Sequence, residues 1–483
     1  MDIPEIRAIV ARFLLNFSDL AAAALVCKSW NATFTPVLYT DVRFHSSKQH
    51  SMEGLVANAS RIRHLLLSEI HVNVPSHICT KLKSLEIRTS SSWNLQAVGR
   101  LAALVRHNTN IEMIDIEYAG DVSPRSFLKT VSFCTGLREL YISMPKLKTS
   151  CVEIILDVAA RLEHLKIKSV TASFPESLDK WPCFPLMKKF ELSVYETPAR
   201  VFLELIRKCP GLKGLDWNVG RNETCPASDI SGLFKTYCPL VEQLDLTYVS
   251  LMDEHFSEIL YGCHRLLSLR FRESNFGELA FQSLSRHFAS LEKLDLGYST
   301  GLTSTMIQQI MTSCPRLTTF YGTTLDASDI LGDIMDENAM EVDTQEQPRD
   351  WVCTNLRFLT ISICGLEGKP LVWHRKVLQQ LARLDKLDTL SLCASAIPPL
   401  TSPKVRDGLN LKLEAGLDHL SSLKRLVVFH FEGIWQQMEE QDVRWMAEAW
   451  PKLERVMGRL HHDRMKQQRL SQILKDRGIS GPC

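Results

Sequence analysis

No apolar run in the 483-residue chain approaches the ~18 residues that a membrane-spanning helix needs, so a membrane-embedded protein is not expected. An excess of one charge is also missing. With 56 Lys and Arg against 55 Asp and Glu, a net charge of +1 gives no broad attraction for phosphate backbones or anionic lipid. Nucleic acid and membrane are therefore not expected partners. Cysteine is thin for a stapled fold: fourteen residues and no CxxC pair point to reduced thiols. The opening Met1-Asp2-Ile3-Pro4-Glu5 has an acid where a secretory signal carries bases, which predicts a cytoplasmic or nuclear location. The sequons at Asn16, Asn31, Asn58 and Asn222 then read as chance matches. No GxSxG elbow, HExxH helix, GxxxxGKS/T loop or GxGxxG turn occurs, so neither catalytic residues nor a metal or other cofactor is expected.

What is present is a repeat. The pattern apolar, two variable, apolar, one variable, apolar recurs fifteen times. Its first anchors are Ile62, Leu82, Ile111, Leu137, Leu162, Met187, Leu212, Val241, Leu266, Leu291, Leu317, Leu356, Leu387, Leu423 and Leu453. From Leu137 to Leu317 the starts advance by 25, 25, 25, 29, 25, 25 and 26 residues. Each hexad ends with the alternation of a half-buried strand, and the stretch before it has helical spacing, as in Val201, Phe202, Leu205 and Ile206. Consecutive units of helix, loop and strand bury their apolar faces only against their neighbours, which predicts parallel strands with helices on one side. Segments such as Cys209-Pro210-Gly211-Leu212 and Cys314-Pro315-Arg316-Leu317 resemble the cysteine-containing leucine-rich repeat, CPxLxxLxL followed by a helix. The resemblance implies an α/β horseshoe, strands on the concave face and helices on the convex face.

Three residues before each anchor lies a slot that holds cysteine seven times: Cys79, Cys134, Cys209, Cys238, Cys263, Cys314 and Cys353. Elsewhere it holds Ala59, Asn108, Ala159, Phe184, Phe288, Leu384, Leu420 or Trp450, so it reads as a buried helix-end position where a thiol acts as a small hydrophobe. Regularly stacked units do not converge four thiolates on a metal. Three residues past the last anchor, Ala119, Tyr195, Val249 and Ser299 replace the family's Asn or Cys. After Leu317 the spacing widens. Asp326 to Asp350 holds nine acids and one base, and Glu337 to Pro348 and the region of Pro398, Pro399 and Pro403 read as loops.

The first forty-five residues differ. Pro4 followed by Ile6, Ile9, Val10, Phe13 and Leu14 predicts an amphipathic helix, Ser18 is placed to cap a second over Asp19–Val26, and a third element ends at Pro36-Val37-Leu38-Tyr39. Ile3-Pro4-Glu5-Ile6, Asp19-Leu20, Val26-Cys27-Lys28-Ser29-Trp30 and Pro36-Val37-Leu38-Tyr39 resemble the F-box in order and spacing. That resemblance implies a dock for the Skp-type adaptor of a cullin-RING ubiquitin ligase, with Ile3, Pro4, Ile6, Ile9, Leu20, Val26 and Cys27 as contacts and Trp30 packed within the helices. The expected organisation is an F-box over 1–45, a solenoid of about fifteen units over 46–460 with an acidic insertion near 337–350, and a C-terminal cap or tail over 461–483.

Variable strand residues point to the helix-free face. The penultimate hexad positions are Glu86, Asp115, Tyr141, Lys166, Glu191, Asp216, Asp245, Arg270 and Asp295. Arg88, Lys168 and Arg272 follow one residue past the hexad, and Tyr118, Tyr248 and Tyr298 two past it. Tyrosine beside charge suits protein recognition. Asp216, Asp245, Tyr248, Arg270, Arg272, Asp295 and Tyr298, from the most regular units, are the expected contacts for a protein substrate. The function read from the sequence is that of a non-catalytic ubiquitin-ligase subunit recruiting a target for degradation. The alternative is an interaction scaffold whose N-terminal helices only cap the solenoid, and a GTPase-activating solenoid is a further rival. The tail, Arg459 to Arg477, carries six bases and reads as a cap over the last repeat or as a nuclear-import patch, with His461-His462 solvated.

Overall fold

In the computed structural model the described residues are 3–14, 16–44, 52–68, 79–89, 95–118, 123–175, 177–194, 199–219, 230, 232–247, 251–332, 350–393, 408–434 and 436–482. Tyr248, the loops expected over 337–348 and around Pro398, and the Ala119, Tyr195 and Val249 positions lie outside them. The chain divides into two compact units, Met1–Glu223 and Thr224–Cys483.

The first unit opens with three helices, α1 (Pro4–Phe13), α2 (Phe17–Ala24) and α3 (Lys28–Leu38). Pro4 sits in the first turn of α1, where its missing N–H costs nothing. Asn16, not Ser18, caps α2: its side-chain oxygen accepts from the Ser18 N–H at 3.0 Å, so the helix starts two residues earlier than the sequence suggests. Ala11, Leu20, Ala23, Ala24 and Phe34 form the small core of the three, with Leu14 and Trp30 packed against it. Trp30 stacks on Phe34 with ring centroids 5.0 Å apart.

Two residues after α3 the sheet begins. Its strands are β1 (Asp41–Phe44), β2 (His64–Leu67), β3 (Ser84–Thr89), β4 (Met113–Tyr118), β5 (Glu139–Leu147), β6 (His164–Ala172), β7 (Lys189–Val194) and β8 (Gly214–Val219). All pair in parallel and in chain order. The second hexad anchors stand side by side, Leu65 to Leu85, Ile114, Leu140, Leu165, Phe190 and Leu215. β1 was not foreseen: Asp41-Val42-Arg43-Phe44 precedes the first hexad, and Val42 pairs with Leu65. The strand ladder therefore starts inside the stretch assigned to the helical module.

The second unit repeats the plan with β9 (Gln243–Asp245), β10 (Ser268–Arg270), β11 (Lys293–Asp295), β12 (Thr319–Asp326), β13 (Phe358–Cys364), β14 (Thr389–Ser391), β15 (Val428–His430) and β16 (Arg455–Met457), again parallel and in chain order. Helices such as Asp253–Gly262 and Ser304–Ser313 precede the strands. Each unit is a leucine-rich-repeat solenoid, strands on one side and helices on the other, and the first is preceded by the three short helices.

One register differs from the sequence reading. Phe429, not Leu426, pairs with Leu390 and with Val456, so the true hexad starts at Leu426 rather than Leu423. Leu423, Leu426 and Phe429 recur at threes and are all buried, so either start satisfies the apolar pattern. The slot is buried in the other fourteen units, including its seven cysteines. Burial pushes the thiols up, to about 11 at Cys79 and Cys134 and about 12 at Cys238, Cys263 and Cys353. Asn108 fills the slot once and is fully satisfied. It accepts from the Leu82 N–H at 2.9 Å and donates to the carbonyls of Cys79 at 2.5 Å and Leu104 at 2.8 Å. At the position past the strand, Ser274 and Ser299 donate to the Phe271 carbonyl at 2.8 and 3.0 Å, hydroxyls doing the work of the family's Asn.

The C-terminus closes the last edge. Asp463 caps the helix Arg464–Asp476, which buries Leu470 and Leu474, and the chain returns so that the Val456 N–H donates to the Ser480 carbonyl at 2.9 Å. Lys466, Arg469 and Arg477 pair with Glu439, Glu440 and Glu448, so half of the tail's bases are spent on the preceding helix. His461 is not solvated as expected: it is buried, and its Nδ1 accepts from the Asp463 N–H at 2.9 Å.

Candidate functional site

Two surfaces stand out. The first is the outer face of α1 and α2. Ile6, Ile9, Val10 and Phe13 lie at helical spacing on one side of α1, and all are exposed, Phe13 at 79%. Leu25 at 84%, Val26 and Phe17 are likewise exposed, at the two ends of α2. Only Ala11 of α1 is buried. A helix that turns its apolar stripe to solvent forgoes ~1.5–3 kcal/mol per side chain that full burial would supply. Of the expected contacts, Ile6, Ile9, Val26, Pro4 and Cys27 are exposed and Ile3 is half-buried. Leu20 is not on this face. It is 4% exposed, because α2 turns Leu20, Ala23 and Ala24 inward onto Phe34. Phe13 and Leu25 were not among the sequence candidates, although the apolar stripe of α1 already contained Phe13.

The second surface is the strand face. In the second unit, Arg270 stands between Asp245 and Asp295 in register, its Nη1 2.7 Å from Asp245 Oδ2 and its Nε 3.2 Å from Asp295 Oδ2. Arg272 Nε reaches the same Asp295 oxygen at 2.7 Å and lies over the Tyr321 ring at 5.3 Å. Tyr298 is partly exposed in a turn, with φ of +63°. Four of the expected residues thus form one ladder, with Tyr298 at its margin. Asp216 lies on β8 in the first unit, in register with Glu191. Tyr118 is not on the face: β4 extends to it, and as the next inward residue after Ile116 it is buried.

In the first unit a cavity of about 350 Å³ opens on the strand face over β3–β7. Arg88 gathers Asp115 at 2.7 Å, Glu117 at 2.9 Å and Glu86 at 3.6 Å. Tyr141 donates to Glu139 at 2.5 Å, its oxygen lies 2.8 Å from His164 Nδ1, and His164 Nε2 lies 3.0 Å from Glu191. Lys166 and Lys189 pair with Glu191 at 2.6 and 2.5 Å. Burial alone would raise the Glu191 carboxyl, but hydrogen bonds from His164, Lys166 and Lys189 hold it below the usual range. Burial, then the bond to Glu139, holds the Tyr141 phenol above its own. His164 was missed in the sequence, where it stands at a variable hexad position two residues before Lys166 on the same strand face.

Among the described residues the nearest approach to a nucleophile constellation is Cys393, whose Sγ lies 3.0 Å from His430 Nδ1, with His430 Nε2 3.3 Å from Glu432. Burial pushes this thiol up and keeps it protonated, the form that does not attack. Among the described residues no group of three or more His, Cys, Asp or Glu is placed to hold a metal, and no helix is long and apolar enough to cross a membrane. The fold is a scaffold suited to protein–protein interaction.

No family model and no curated protein matches the chain. Among solved structures it is similar to an internalin from Listeria monocytogenes, at 11% identity over 78% of this chain and 82% of that one, with a TM-score of 0.36. It is also similar to the yeast Rad7 and Elc1 complex, at 11% identity over 94% of this chain and 87% of that one, with a TM-score of 0.42.

Proposed function

We propose that the chain is the substrate-recognition subunit of an SCF-type cullin-RING ubiquitin ligase, working in the cytoplasm, the nucleus or both. α1–α3 dock the Skp-type adaptor, and the strand face holds a target protein. The observation that carries the reading is the apolar stripe Ile6, Ile9, Val10 and Phe13 of α1, with Leu25 and Val26 also exposed, on a helical module whose sequence follows the F-box pattern. A module that served only as a cap would turn this stripe onto the sheet. The subunit performs no bond chemistry. Holding a target lysine near a charged ubiquitin-conjugating enzyme raises its local concentration, and that proximity is the catalysis it supplies. Asp245, Arg270, Arg272, Asp295, Tyr298 and Asp216 are proposed target contacts.

Co-purification of the full chain with a Skp-type adaptor tests this. The wild type is expected to retain the adaptor, and Ile6→Asp or Val26→Asp to lose it with an unchanged thermal melt, because both side chains are exposed and neither supports the core. Absence of adaptor binding by the wild type, or its retention by both variants, overturns the reading.

A further inference from the structure

The charges around the β3–β7 cavity are sorted by sign along the sheet. At the β3–β4 end three carboxylates, Glu86, Asp115 and Glu117, share the single guanidinium of Arg88. At the β6–β7 end Lys166 and Lys189 share the single carboxylate of Glu191. Lys168, exposed and in register between Ser143 of β5 and Ser193 of β7, adds a cation that no carboxylate pairs among the described residues. Among the residues that line the cavity, Asp115 and Glu117 face the single cation Arg88 at one end and Lys166 and Lys168 face the single carboxylate Glu191 at the other, so each end is one charge out of balance, in opposite senses, with Tyr141 between them on β5. The carboxyls respond accordingly. Asp115 is held above the usual range by burial and, against Arg88, by Glu86 and Glu117, whereas Glu191 is held below it although burial acts the other way.

We propose that this cavity is a polarised recognition site that orients a polypeptide segment of the target protein, its basic side chain over Asp115 and Glu117 and its acidic side chain over Lys168. The inference rests on the strand face being the target-binding surface, and it is independent of adaptor docking. Charge complementarity selects the occupant: a segment carrying one sign alone is attracted at one end and repelled at the other. Adjacent strands lie ~4.8 Å apart, and Lys168 on β6 stands in register with Glu117 two strands away, so the two are separated by ~10 Å. An extended segment crossing the strands covers that distance in about three residues at ~3.3 Å each. The site therefore reads a basic and an acidic residue at a fixed separation of about three positions.

Selection of a displayed random decapeptide library on the purified full chain is the test. The wild type is expected to enrich peptides with a basic and an acidic residue about three positions apart, and a synthetic peptide of that consensus to bind. Lys168→Glu is expected to weaken that peptide roughly tenfold, and in a fresh selection to replace its acidic residue by a basic one. Should Lys168→Glu not fold, Lys168→Gln serves, with roughly threefold weakening expected. A wild-type selection without a charge pair at fixed spacing, or an unaltered consensus from the folded variant, overturns the proposal. Adaptor binding is measured on the same samples. Its failure tells against the ligase reading and leaves a positive peptide result standing.

Discussion

Asn108→Ala tests the packing account at the one slot position that carries a polar side chain. The carboxamide makes three hydrogen bonds, from the Leu82 N–H and to the carbonyls of Cys79 and Leu104, in a site from which solvent is shut out. Truncation strands at least the Leu82 N–H and the Cys79 carbonyl. Each orphaned buried group costs about 1–3 kcal/mol, and partial relaxation brings the expected loss to roughly 2–4 kcal/mol. Cys134→Ala in an equivalent slot removes one sulfur that serves as a small hydrophobe, which costs only ~1 kcal/mol. Urea unfolding of both variants gives the comparison, and amide exchange localises it. Exchange at Leu82 is expected to accelerate roughly 30-fold or more in Asn108→Ala, following the conversion of 1.4 kcal/mol per factor of ten, and to stay unchanged in Cys134→Ala. Equal costs for the two variants, with Leu82 protection intact, refute the reasoning.

Three further outcomes are expected. Trp30→Ala, which removes the stack on Phe34, lowers the stability of the three-helix module by about 3 kcal/mol, whereas Ile9→Ala on the open face changes the melting temperature little; a differential scanning measurement separates them. Iodoacetamide applied to the folded protein modifies the exposed Cys27 and Cys183 well before the slot cysteines, whose burial raises their thiols, and peptide mapping reads the order. Glu191→Gln is less stable than the wild type at pH 7. Because the folded carboxyl titrates below its ordinary 4.5, the wild-type advantage is complete above that value and shrinks as pH falls below it, which chemical denaturation at pH 7 and pH 3.5 checks.

The solenoid was legible because a parallel strand buried against its neighbours needs an apolar residue at every inward position, and thirteen such strands from Leu65 to Leu390 show their anchors in the sequence. Where the apolar residues also recur at threes, as at Leu423, Leu426 and Phe429, hydrophobicity alone leaves the start of the strand undetermined, and only pairing with Leu390 decides it. β1 has only Val42 and Phe44 as apolar residues, too short a pattern to stand out before the repeat begins. The open face of α1 followed from its helical spacing, but the inward turn of Leu20 depended on which side of α2 meets Phe34, a tertiary fact. Likewise the charged residues of the strand face were visible one by one. Their sorting by sign, and the place of His164 among them, appear only when the strands stand side by side.

Hydrogen exchange of the full chain, alone and with a purified Skp-type adaptor, tests the central claim most directly. The account predicts new protection concentrated in Pro4–Phe13 and around Leu25 and Val26, with the β9–β16 strands unaffected. Protection confined to the strands, or none at all at saturating adaptor, would contradict it.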